Sequence, residues 1–105
     1  MSTKYGRTYM SVNGKLFEPP TIIVSASGVK VANFELEVIE WDKNTKQDTF
    51  SYVPVTVFAA LADIVESRCN VGEKYTVDGR IVAERYTDKN GVERSGIKLI
   101  GNKIV

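Results

Sequence analysis

Histidine is absent from this chain, and a single cysteine, Cys69, stands among its 105 residues. Without histidine there is no Ser-His-Asp or Cys-His catalysis and no usual zinc site. One cysteine excludes an internal disulfide and a cysteine-based metal cluster. No metal and no other cofactor is therefore expected. Glu, Asp and Lys could still move protons, so an enzyme is disfavoured on composition and nothing stronger. Apolar runs long enough to span a bilayer are missing, and the opening MSTKYGRTY is too polar for a signal peptide. A cytoplasmic protein without membrane association is the simplest expectation. A Walker-type glycine loop is also missing.

Excess charge is lacking too. The net charge is +1, far from the strongly basic balance of many nucleic-acid binders. Its distribution is uneven, however. Residues 1–33 carry four basic and one acidic side chain, residues 34–66 two and seven, and residues 67–105 eight and five. A fold that set the two basic ends side by side would make a positive track on a nearly neutral molecule.

What the chain does have is alternation. In Thr49–Phe58, Ser51, Val53, Val55 and Val57 fall on one side of an extended strand, and Phe50, Tyr52, Thr56 and Phe58 on the other. The valines suit a core. The opposite row holds three aromatics, and in a small domain it is expected to face outward, where flat rings can stack on flat ligands such as bases. A sheet covered on both faces, with those rings buried, is the other reading of the strand.

The neighbouring segments extend the pattern. Tyr5–Leu16 reads as a strand with a bend or bulge at Gly14, ended by Glu18-Pro19-Pro20. Thr21–Val24 reads as a short extended piece. Val29–Trp41 is a long strand with Ala32, Phe34, Leu36 and Val38 on one side and Trp41 opposite them. Asp42–Asp48 is a polar hairpin loop. Pro54 implies a bulge or an unpaired position in the central strand. Leu61, Ile64, Val65 and Cys69 repeat at helical spacing, predicting a short helix over Ala59–Arg68 with Cys69 a small buried residue. Lys74–Tyr86 and Ser95–Val105 are two further strands around the Asn90-Gly91 hairpin signal. The apolar residues of the last strand do not alternate cleanly, as if both its faces were covered.

This order predicts one domain over residues 1–105. Its class is all-β, a five-stranded Greek-key OB-fold barrel with one short helix between strands three and four, and such barrels bind oligonucleotides and oligosaccharides. Trp41, Tyr52, Phe58 and Tyr86 each lie opposite the aliphatic set of their own strand. Lys43, Lys46, Arg85 and Lys89 sit in or beside the adjoining loops. Rings stack bases and cations follow phosphates, so these eight residues form the candidate nucleic-acid-binding site. The alternative for Phe58 and Tyr52 is a place in the core. Glu35 and Glu37 read as a solvated strand face.

The same residues resemble the OB-fold domain of bacterial and phage single-stranded DNA-binding proteins. Gly14–Pro20 is similar to that family's turn after the first strand. Val31-Ala32-Asn33-Phe34 resembles its entry to the second, and Trp41-Asp42-Lys43 its tryptophan and loop. Tyr52 stands where the family usually has a stacking tryptophan, and Phe58 matches its phenylalanine. Ala60-Leu61-Ala62, Asp78-Gly79-Arg80 and Arg85-Tyr86-Thr87-Asp88 complete the set. The resemblance covers nearly the whole chain from Met10. It implies sequence-independent binding of single-stranded DNA in replication, recombination and repair, by a homo-oligomer with a tetramer favoured over a dimer. It also implies stacking roles for Trp41, Tyr52, Phe58 and Tyr86. Tyr52 and Tyr86 replace tryptophans common in the family, which is expected to weaken stacking without abolishing it. The sequence shows no glycine-rich linker and no acidic tip of the kind relatives use to recruit partner proteins, so it reads either as a truncated or phage-type version or as one in which partner recruitment works differently.

Two other readings remain open at this point. A dimeric relative such as primosomal replication protein N would act mainly through protein contacts in replication restart. A nuclease on the same barrel would need clustered carboxylates and a metal, which the sequence does not show. Single-stranded RNA is a further possible ligand, because its bases stack equally well.

Overall fold

The computed structural model describes residues 8–105. The valine row of the central stretch packs inward as its spacing predicts. Val55 and Val57 are fully buried, and they meet Leu16, Leu36, Val77 and Leu99 in a single core. Fully burying an aliphatic side chain of this size stabilises a fold by about 1.5–3 kcal/mol. These positions therefore fix which face of each strand turns inward.

Six strands and one helix surround that core: β1 (Met10–Leu16), β2 (Thr21–Val24), β3 (Lys30–Asp42), β4 (Gln47–Phe58), α1 (Ala60–Arg68), β5 (Lys74–Thr87) and β6 (Glu93–Ile104). They hydrogen-bond in the order β1-β5-β6-β4-β3-β2, and an additional β1–β3 pairing closes the sheet on itself. The closed barrel is thus β1, β3, β4, β6 and β5, the predicted five strands. The short piece at Thr21–Val24 adds β2 alongside the first part of β3.

Closure depends on Gly14. β1 pairs with β5 from Met10 to Lys15, then turns onto β3 at Lys15 and Leu16. A Cβ on Gly14 would sit 2.8 Å from the Glu37 carbonyl oxygen and 3.1 Å from Leu36 Cβ. The glycine marks this close strand approach, and the β1–β5 register runs through it without a shift. The bulge lies elsewhere, between Asp78 and Gly79, where a Cβ on Gly79 would collide with the Ile100 carbonyl oxygen.

Other boundaries differ from expectation for local reasons. The first strand, predicted from Tyr5, begins at Met10, and residues 5–7 lie outside the described residues. Thr8 precedes it and uses its hydroxyl to bond both the carbonyl and the N–H of Ile81. Pro54 causes no bulge, since the β3–β4 register is continuous through Glu35↔Pro54. It is tolerated because β6 flanks β4 only at Val55 and Thr56, leaving that side of the strand unpaired at Pro54.

Thr56, expected on the outward row, is instead buried, and its hydroxyl donates to Asn33 Oδ1 at 2.7 Å. In β6, Leu99 and Gly101 are buried whereas Ile97 is 62% exposed, so the strand is inside the barrel for only part of its length. The helix buries Ala62 and Val65 against the barrel, and Cys69 lies just past its end, half-buried rather than fully enclosed. Burial pushes the Cys69 thiol up from its ordinary value. Among the described residues no helix is long and apolar enough to cross a membrane.

Candidate nucleic-acid interface

Beyond the barrel, two hairpins continue with few neighbours. The β3–β4 pair runs on to Asp42↔Gln47, and the β5–β6 pair to Thr87↔Glu93. Each is paired there only with itself, so side chains on both arms stay open to solvent. Trp41, Lys43, Lys46, Arg85, Tyr86 and Lys89 lie on these arms, whereas Tyr52, across from Glu37, and Phe58, across from Val31 at the far end of β4, lie on the barrel itself.

Along the whole β3–β4 pair, from the barrel to the arm, the pairings Val31↔Phe58, Glu37↔Tyr52, Ile39↔Phe50 and Trp41↔Asp48 set these eight side chains on one face of the sheet. Trp41 is 64% exposed, and Tyr52 and Phe58 are exposed as well. The reading that would bury Tyr52 and Phe58 in the core is therefore set aside. Phe50, noticed in the outward row but given no role by the sequence, shares the face and is exposed too.

Lys43 and Lys46 occupy the tight turn at the tip of this arm, and Lys46 has a left-handed backbone (φ 56°). Asp42 organises the turn by accepting hydrogen bonds from the N–H groups of Asn44 and Thr45. Among the described residues neither lysine is paired with a carboxylate.

The second arm carries Tyr86, 55% exposed and directly across from Arg94. Tyr86 and Trp41 thus stand on different hairpins. Arg85 lies on the opposite side of its strand from Tyr86, across from Ser95, with its guanidinium 3.4 Å from Glu93. Lys89 sits in the turn beside Asn90-Gly91, where Gly91 takes the left-handed backbone (φ 80°) that the hairpin signal requires.

Three features were not visible in the sequence. The first is Phe17. It follows β1, lies across from Glu35, and packs its ring 4.9 Å from that of Tyr52 at an interplanar angle of 56°. The second is Glu37, which is half-buried rather than simply solvated and accepts a hydrogen bond from the Tyr52 hydroxyl at 3.1 Å. That bond, followed by burial and the nearby Glu35 charge, raises the Tyr52 pKa. The third is an apolar hollow between the two arms, lined by Met10, Tyr52, Val53, Pro54, Ile81 and Ile97. No sequence period joins residues so distant, and only barrel closure assembles them.

The charge layout follows from this geometry. Glu35 and Glu37 project beside Tyr52, so the aromatic face is acidic at the barrel and basic at its tip. A polyanion on this surface meets unpaired cations at the hairpin turn and rings along the arm. Among the described residues no group of three or more acidic or cysteine side chains is placed to share a metal ion.

A closed five-stranded barrel with one helix between its third and fourth strands is an OB-fold. Residues 8–105 match the model of the single-strand binding protein family, and the chain belongs to that family. Among curated relatives, the single-stranded DNA-binding proteins of Neisseria meningitidis serogroups A and B are each 27% identical over 94 residues, 87% of this chain. The chain spans about half their length, 54% of each. The solved structure of a Plasmodium falciparum SSB in complex with ssDNA superposes with a TM-score of 0.87 at 18% identity, covering 99% of this chain and 97% of that one. At that identity the superposition establishes the fold.

Proposed function

We propose that this protein binds single-stranded DNA without sequence preference, stacking bases on Trp41, Tyr52, Phe58 and Tyr86 and meeting phosphates with Lys43, Lys46, Arg85 and Lys89. The observation that carries this reading is the exposed face of β3–β4, which carries Trp41, Tyr52 and Phe58 in a row along its length, on a chain of the single-strand binding protein family. Exposed rings on a rigid sheet are costly to leave in water unless they meet a ligand, and every base offers a face to stack. The names of the Neisseria relatives point to the same ligand. Coating of this kind removes secondary structure from the strand and shields it from nucleases. That is the work needed in replication, recombination and repair, and it needs no catalysis by the coating protein.

The same reading includes assembly into a homo-oligomer, with a tetramer the expected form. The test is competition among single-stranded DNA of mixed sequence, single-stranded RNA and duplex for one labelled DNA oligomer, with mass measured by light scattering on the same sample. The reading expects single-stranded DNAs of different sequence to compete alike and duplex to compete poorly. Preference for duplex, or for one sequence alone, contradicts it.

A further inference from the structure

Phe17 belongs to no strand, yet it has a fixed place beside the aromatic face. Leu16 points into the core opposite Leu36. The Phe17 N–H then bonds the Glu35 carbonyl at 3.4 Å, which turns its side chain outward onto the side that carries Glu37 and Tyr52. Its ring lies 4.9 Å from Tyr52, tilted by 56°. That separation is within the favourable range for a pair of aromatic rings, which here are tilted rather than stacked face to face.

Despite the contact, Phe17 is 42% exposed and Tyr52 44%. Both rings thus keep surface open to a ligand while in contact with each other. Glu37 holds the other end of Tyr52 through the hydroxyl. With one end tied to Glu37 and one side against Phe17, the Tyr52 ring cannot turn freely, and the two rings are held at a fixed inclination to each other.

On the reading that this surface binds single-stranded DNA, we infer that Phe17 is itself a base-contacting residue. It shares with Tyr52 one base stacked against the pair, and Glu37 acts as the positioning residue for the tyrosine. The carboxylates of Glu35 and Glu37 beside the two rings repel phosphate, so what they meet is a base rather than the backbone. A preorganised pair of rings also avoids the ordering cost that a mobile side chain would incur on binding.

The test is a cycle of dT-oligomer affinities for the unmodified protein, Phe17→Leu, Tyr52→Leu and the double variant. Leucine keeps apolar volume and removes the π face, and thermal melts of each variant show that the fold is retained. Phe17→Leu is expected to weaken binding roughly 5- to 100-fold, without changing the salt dependence, and to keep part of that loss in the Tyr52→Leu background. If the loss disappears once Tyr52 is gone, Phe17 only props the tyrosine and the inference is overturned. No loss in either background overturns it as well. Failure of the unmodified protein to bind dT overturns the underlying reading instead, so the two failures are distinct.

A second variant guards against a folding defect. Phe17→Trp combined with Trp41→Phe leaves one indole in the protein, at position 17. Its emission should be quenched on adding dT oligomer and restored by added salt. Unchanged emission at saturation contradicts contact.

Discussion

Asp88 and Arg94 lock the tip of the second hairpin: the Arg94 Nε–H donates to Asp88 Oδ2 at 2.9 Å. The other carboxylate oxygen of Asp88 accepts the N–H groups of Asn90 and Val92 across the same turn. One side chain thus closes the loop and holds the residue that faces Tyr86 across the strands. The arrangement keeps the Asp88 carboxyl below its ordinary pKa, chiefly through the Arg94 bond and then the Val92 N–H.

Acid should therefore loosen this arm. A depressed carboxyl contributes stability that is present above its unfolded pKa of about 3.9 and lost as pH falls through the lower folded value. Amide protection in residues 86–94, taken relative to the intrinsic exchange rate at each pH, is expected to fall below about pH 4. Asp88→Ala should show the lower protection already at neutral pH, with no further acid step of its own. Protection in this turn that is insensitive to both changes contradicts the assignment.

Lys30 ties the helix to the barrel. Its ammonium lies 2.8 Å from Asp63 and 2.6 Å from Glu66, one helical turn apart on α1. Hydrogen bonds to Asp63 and then Glu66 raise its pKa, outweighing the opposing effect of burial. A raised lysine contributes stability in full below its unfolded pKa and loses it as pH climbs through the folded one. Lys30→Met is expected to lower Tm modestly at neutral pH and to remove part of the alkaline destabilisation above about pH 10.4. An unchanged Tm at neutral pH and low salt counts against the tie.

Strand closure gives a sharper stability test. Gly79 sits at the bulge with no room for a Cβ against the Ile100 backbone. Gly79→Ala forces the β5–β6 ladder apart and is expected to cost about 1–3 kcal/mol, the usual range for overpacking. Gly96→Ala, on the same pair of strands but with open space around it, should cost far less. Chemical denaturation of the two variants compares them directly.

The two kinds of site residue should separate by salt. Lys43→Ala and Lys46→Ala remove cations from an exposed turn and should each reduce the slope of log affinity against log salt by about 0.7, the single-strand value per phosphate. Trp41→Ala and Tyr86→Ala should leave that slope unchanged while weakening binding by about 1–3 kcal/mol each, for all sequences alike. A flattened slope in the aromatic variants, or an unchanged one in the lysine variants, contradicts the division of labour.

Much of this surface was legible in the sequence because a strand has a period of two. Once Val55 and Val57 are inward, Tyr52 and Phe58 must be outward, and pairing with β3 carries Trp41 to the same face. Parity reaches only as far as neighbouring strands. It placed Thr56 outward, missing the hydrogen bond to Asn33 that buries it. It had no means of finding Phe17, whose contact with Tyr52 crosses from the end of β1 over β3 to β4. Glu37 looked like solvated strand for the same reason, since its partner lies on another strand. The site of the bulge followed from close packing of Gly79 on Ile100, which no local pattern records.

The central claim, that solvent-facing rings on the β3–β4 arm receive the bases of a single strand, is tested most directly by the emission of Trp41, the one tryptophan in the chain. Poly(dT) should quench it to a saturable limit at low salt, and raising the salt should weaken the binding and restore the emission. Emission that stays constant through the titration, or quenching indifferent to salt, would contradict the account.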